Sequence, residues 1–155
     1  VWDSRFWIFF ILVLILAGVS AAIRKLRFID VQIMIMIAAL TMSCDMLFCK
    51  QYHLYNYVST EYKGWYSFWA NLIIIPALGL VFIKFIPKTL KGVAAYIAVW
   101  TALSTTFEIL IAKPLGILIY SRWRIIPYSV IGYILVFTWE YAYYRILVRY
   151  YKKGS

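Results

Sequence analysis

The chain has 155 residues, 65% of them hydrophobic, 20% aromatic and 14% charged, and 16 Lys and Arg against 6 Asp and Glu give it a formal charge of +10. An ordinary soluble domain carries about 45–50% apolar and about 25% charged residues, and one this small could not hide so much apolar surface in a core. A soluble domain, a disordered tail, a collagen-like fibre and a disulfide scaffold are therefore excluded, and the composition is that of an all-α, multi-pass membrane protein forming one integral-membrane domain over residues 1–155.

A helix that crosses a bilayer needs about 20 predominantly apolar residues. Five stretches qualify, at about 6–23, 31–49, 66–86, 92–112 and 125–147. The first lacks a small-residue cleavage site and reads as a retained span, with Gly18 and the small residues after it suited to close packing. The second holds Cys44, Asp45 and Cys49 and is followed by Lys50. Its cysteines form no CxxC motif and read as small packing residues before any redox or metal role.

The third span carries Asn71 and Pro76. A proline there lacks an N–H, frees the carbonyl of Leu72 and predicts a kink. The fourth places Thr101, Ser104 and Thr105 on the helical face of Glu108, with Ala94, Ala98 and Ala102 close to that face and suited to tight helix contact. Lys113 follows it. The fifth aligns Ser129, Tyr133, Val136 and Tyr144 with Glu140.

Basic residues between the spans set the orientation and meet anionic headgroups, a more economical use of the charge than nucleic-acid binding. One side collects 10 of them: Arg24, Lys25, Arg27, Lys84, Lys88, Lys91, Arg145, Arg149, Lys152 and Lys153. The other collects 6, namely Arg5, Lys50, Lys63, Lys113, Arg122 and Arg124. The expected topology puts the N-terminus outside and the C-terminus in the cytoplasm of a cell membrane. Tyr52, Tyr55, Tyr57, Tyr62, Trp65, Tyr66 and Trp69, then Tyr120, Trp123 and Tyr128, mark the outer interface.

Three acids fall inside the apolar stretches: Asp45, Glu108 and Glu140. An ionised group at a helix centre costs at least about 2.5–3.5 kcal/mol, so each is a functional candidate. No Lys or Arg lies as deep, Lys84 being near enough to an end to snorkel. The pattern predicts protons, bound cations or hydrogen-bonded neutral acids rather than internal salt bridges. Asp45 and Glu108 both fall toward the outer side and share their level with Asn71. Lys50 and Lys113 each stand five residues beyond an acid, and His53, the lone histidine, lies just outside. These six residues make a candidate ligand-binding pocket. The competing reading has the two acids joining helices as protonated hydrogen-bond partners. Glu140, with Tyr133 and Tyr144 on its face, reads as a structural polar group.

At an offset of 63, the segment from Ala39 to Lys50 aligns with that from Ala102 to Lys113, pairing Asp45 with Glu108; Tyr57 falls on Tyr120. This suggests a duplicated helical hairpin, spans 2–3 matching spans 4–5, with the first span added. The alternative is convergent membrane composition. No GxSxG, HExxH or Walker loop, no arginine ladder and no K⁺-filter sequence occurs. No motif calls for a cofactor or a metal, and no catalytic residue stands out.

The intramembrane Asp45 followed by Lys50 and a tyrosine-rich loop, then Glu108, Lys113, Gly116, Tyr120 and Trp123, resembles small multi-pass membrane proteins of spore-forming bacteria. The resemblance implies a bacterial membrane location and no particular activity. The expected function is binding or passing a cation, proton or amine-bearing ligand near the outer leaflet. Two alternatives stand beside it. One is a structural or regulatory subunit that packs on a second copy or another membrane protein. The other is a lipid-modifying enzyme using the two acids.

Overall fold

The computed structural model of the protein describes residues 3–58 and 64–153. Tyr62, counted above among the interfacial aromatics, and Lys63, counted among the basic residues of the outer side, lie outside the described residues. Five helices are long and apolar enough to cross a bilayer: α1 (Ser4–Ile23), α2 (Phe28–Gln51), α3 (Trp65–Lys84), α4 (Leu90–Ala112) and α5 (Ile125–Lys152). The Asp3 carboxylate caps α1, accepting from the backbone N–H groups of Arg5 at 2.9 Å and Phe6 at 3.4 Å. The Thr89 hydroxyl caps α4, accepting from the Gly92 N–H at 3.2 Å. Short connections between long helices make neighbours in the chain antiparallel.

α3 is the central helix. Within its span 67% of residues are buried, against 11–22% in the other four. Its Phe82, fully buried, stacks on Phe137 of α5 at 4.8 Å and on Tyr96 of α4 at 5.1 Å, with Trp100 edge-on at 5.8 Å. On the other side α1 packs through Phe6, whose ring meets Tyr66 at 4.8 Å, and the Tyr66 hydroxyl accepts from the Asp3 N–H at 2.9 Å. The outward faces stay apolar: Ile8, Ile11, Leu12 and Ile15 of α1 are each more than half exposed. A contiguous surface of that kind is stable against lipid tails and not against water.

Four stretches of these helices are π-helical: Met46–Gln51, Ala70–Ile74, Glu108–Ala112 and Ile125–Ser129. The second ends just before Pro76. Instead of a bare kink, a wider turn precedes the proline and takes up the helix hydrogen bonding that its missing N–H disturbs. The two loops at that end of the bundle pair as a small antiparallel ribbon, β1 (Tyr55–Tyr57) with β2 (Leu118–Tyr120), in the register Tyr55 to Tyr120, Asn56 to Ile119 and Tyr57 to Leu118. The Leu54 carbonyl extends the tie by accepting from the N–H groups of Ser121 and Arg122 at 3.0 and 3.1 Å.

The opposite end holds what the sequence reading missed. Asp30, in the first turn of α2, is fully buried and pairs with the buried Lys84 at 2.5 Å and with Arg27 at 3.0 Å. Lys84 also donates to the Lys25 carbonyl at 2.7 Å, and Arg24 donates to the Lys84 carbonyl at 2.6 Å. The expectation that no buried base exists is corrected: Lys84 does not snorkel, because a carboxylate and a carbonyl await it inside. Its place at the C-terminus of α3, and that of Asp30 at the N-terminus of α2, suit the helix dipoles as well.

Candidate functional site

Asp45 and Glu108 are both buried, 4% and 7% exposed. Each stands where an α-helix gives way to a π-helical turn: Asp45 closes the α-helical part of α2, and Glu108 opens the π turn of α4. Asn71 lies within the π turn of α3. A π turn offsets the residues on either side of it by one position and rotates the side chains that follow.

The two acids have parallel surroundings. One oxygen of Asp45, Oδ2, accepts a hydrogen bond from the Ser67 hydroxyl, while Oδ1 is buried with no partner among the described residues. One oxygen of Glu108, Oε1, accepts from the Tyr133 hydroxyl at 2.5 Å, while Oε2 is likewise buried and unpartnered. Neither acid has an ion pair among the described residues, whose ion pairs involve only Asp3 and Asp30. Asn71 joins the Asp45 half through Ser67, donating to its carbonyl at 2.9 Å and its hydroxyl at 3.4 Å. The Thr41 hydroxyl oxygen lies 3.3 Å from the Asn71 carbonyl at the edge of that half.

The ribbon links the halves. Burial pushes the Tyr55 hydroxyl up, and the negative charge of Asp45 and, more weakly, that of Glu108 raise it further. Tyr57 is pushed well up by burial first, with Tyr55, Asp45 and Tyr133 adding to it. On Tyr120, burial and then the charge of Glu108 act in the same direction, and its buried hydroxyl lies near the Glu108 carboxylate outside good hydrogen-bond geometry. All three tyrosines therefore stay neutral.

Thr101 and Thr105 add two more buried hydroxyls without a partner among the described residues, on the Glu108 face of α4. Thr41 and Ser43 of α2 instead return their hydroxyls to the carbonyls of Ile37 and Ala39 one turn back, at 2.9 and 2.8 Å. The threonines of α4 make no such back-bond, so their oxygens remain open to a guest. What the arrangement offers is a set of hard oxygen atoms, two of them on carboxylates, with no cation of the chain among the described residues to neutralise them.

The remaining candidates stand elsewhere. Lys50 rests over Gly64, its Nζ 3.7 Å from where a β-carbon there would lie. Lys113 and His53 are exposed. Glu140 is 2% exposed and packs against Gly79 of α3, with Oε2 unpartnered among the described residues. Neither tyrosine assigned to its face serves it by hydroxyl: Tyr133 donates to Glu108, and the Tyr144 hydroxyl accepts from Arg27 at 3.5 Å. Ala94, Ala98 and Ala102 face outward and are exposed, so the tight contact expected of them is not made among the described residues. Cys44 and Cys49 are free thiols, and Cys49 is buried beside Asn56.

The sequence pointed to Asp45, Glu108 and Asn71 by depth and helical phase. Ser67 and Tyr120 were not singled out as site residues. Ser67 lies one helical turn before Asn71 and could have been found from that spacing. Tyr120 reaches the site only through strand pairing, which three-residue strands do not announce. Comparison with protein-family models, curated proteins and solved structures gives no match.

Proposed function

We propose that the protein binds, and passes, a proton or small cation at a site built by Asp45 and Glu108 at the ribbon end of the bundle. One observation carries the reading. Each buried carboxylate has one oxygen held by a hydroxyl and one oxygen with no described partner. Leaving such groups unsatisfied in a low-dielectric interior is costly, and a bound proton or cation removes the cost. A donor set made only of oxygens suits a hard ligand: a proton, an alkali ion or a protonated amine. The ribbon end faces outward in this reading, following the distribution of basic residues.

The antiparallel ribbon also supports the duplicated hairpin. β1 and β2 lie at the same offset of 63 that relates Asp45 to Glu108, and each is preceded by a π turn beside its acid. An antiparallel pair of equivalent strands is what a two-fold axis along the bundle produces. Two half-sites then meet beneath the ribbon.

The test is flux in proteoliposomes, with proton and alkali-ion gradients imposed in turn. The Asp45→Asn/Glu108→Gln protein should lose ion movement and ion-dependent thermal protection together. Ser67→Ala and Tyr133→Phe should each weaken the ion dependence by roughly tenfold, about the value of one hydrogen bond to a charged group. Flux that survives the double substitution removes the assignment.

A second reading, a structural or regulatory subunit, is favoured by the exposed Ala94, Ala98 and Ala102. Small residues on a lipid-facing side let a second helix approach closely. Ala98→Phe should then convert a dimeric or larger species in mild detergent to a smaller one; an unchanged particle size counts against this reading.

A further inference from the structure

An open depression of about 700 Å³ lies where the ribbon end of α4 meets the start of α5. Lys113 and Arg124 line it together with Trp123, Ile109, Ile125 and Ile126, and no acidic residue does. Both basic side chains are exposed, and no described carboxylate pairs with either. The depression thus combines two unneutralised positive charges with an apolar floor.

Its wall is held in place. Trp123 donates its indole N–H to the Ser129 hydroxyl at 2.8 Å, and its ring packs against Tyr128 at 5.5 Å and Phe48 at 5.9 Å. Ile126 has extended backbone angles, φ −105° and ψ 123°, which interrupt the helical path, and its side chain is left 66% exposed. The depression sits at the ends of two bilayer-length helices, the level at which tryptophans and lipid headgroups meet.

We infer that this depression binds the headgroup phosphate of an anionic phospholipid, with the first part of an acyl chain lying on the isoleucines. Arg124 supplies the planar fork that suits phosphate oxygens and Lys113 a point charge beside it. A free phosphate ion would satisfy the two cations but leave the isoleucine floor bare, so the floor selects the lipid. The depression adjoins the Asp45–Glu108 site, Tyr120 lining it as well, but its own cations prefer the opposite charge, so the lipid assignment stands whether or not the acids carry ions.

The test titrates the full chain in detergent with phosphatidylglycerol and follows adducts by native mass spectrometry. One lipid should bind more tightly than the rest, and more tightly than phosphatidylcholine. The Lys113→Gln/Arg124→Gln protein should bind it about 30-fold more weakly, each cation near a headgroup contributing comparably. Lys88→Gln/Lys91→Gln removes the same charge from the far end and should leave this binding unchanged, while inorganic phosphate should not displace the lipid. Equal loss in both double variants would show a general charge effect, displacement by phosphate an anion site without acyl contact. Either overturns the inference, as does equal affinity for phosphatidylcholine.

Discussion

Replacing Lys84 with Met is expected to lower the stability of the folded bundle by about 3–5 kcal/mol, the largest effect of any single substitution considered. Lys84 and Asp30 are 3% and 0% exposed at their side chains, so the carboxylate cannot recover water when its partner is removed. Arg27 stays in contact at 3.0 Å but is itself half exposed and offsets only part of the loss. Asp30→Asn should cost a similar amount, because the ammonium is then left facing a carbonyl and a neutral amide. The double variant Asp30→Leu/Lys84→Met should recover most of the loss, since it removes both desolvation costs together. Unfolding in mixed detergent micelles, followed by helical circular dichroism, measures all three proteins. If Lys84→Met unfolds at the native midpoint, the buried pair contributes nothing to holding α2 against α3.

Phe82→Ala is expected to cost about 2–3 kcal/mol, less than the same change in a water-soluble core. In water the loss combines a transfer part with a cavity part. In a bilayer the unfolded helix is already surrounded by hydrocarbon, so the transfer part largely disappears and the cavity remains. The cavity should not close, because Tyr96, Trp100 and Phe137 approach Phe82 from two helices and brace one another, Trp100 meeting Phe137 at 5.8 Å. Phe82→Leu should recover more than half of the loss. The same unfolding experiment decides it, and a loss below that of Phe82→Leu in the alanine protein would mean that α4 and α5 can collapse onto α3.

Five spanning runs were legible because long apolar runs are the strongest signal a sequence carries, and five helices of sufficient length and hydropathy are found. The burial of Asp45 and Glu108 was legible for a related reason: helical phase places each with small and hydroxyl-bearing neighbours. Starting the second span at Val31 left Asp30 outside it, which hid the ion pair with Lys84. Both residues stand in terminal turns, where solvation at the interface is the ordinary fate of a charge. Pairing them needed to know that α2 and α3 meet at that end. Ala94, Ala98 and Ala102 lie a fraction of a turn from Thr101, Thr105 and Glu108, so helical phase alone did not tell whether their contact is made inside the bundle or with another helix. A small rotation of α4 decides which set faces lipid. The ribbon was illegible, since strands of three residues carry no period to read.

The most direct measurement of the central claim is the infrared difference spectrum of the protein in lipid when a cation is added or the pH is stepped. Carboxyl and carboxylate stretches should change on binding. Asp45→Asn should remove one set of bands, Glu108→Gln a second, and the double variant both, while Glu140→Gln leaves them in place. Difference bands that persist in the double variant, or no carboxylate change in the unsubstituted protein under any cation or pH tried, would contradict a site in which these two acids hold the ligand.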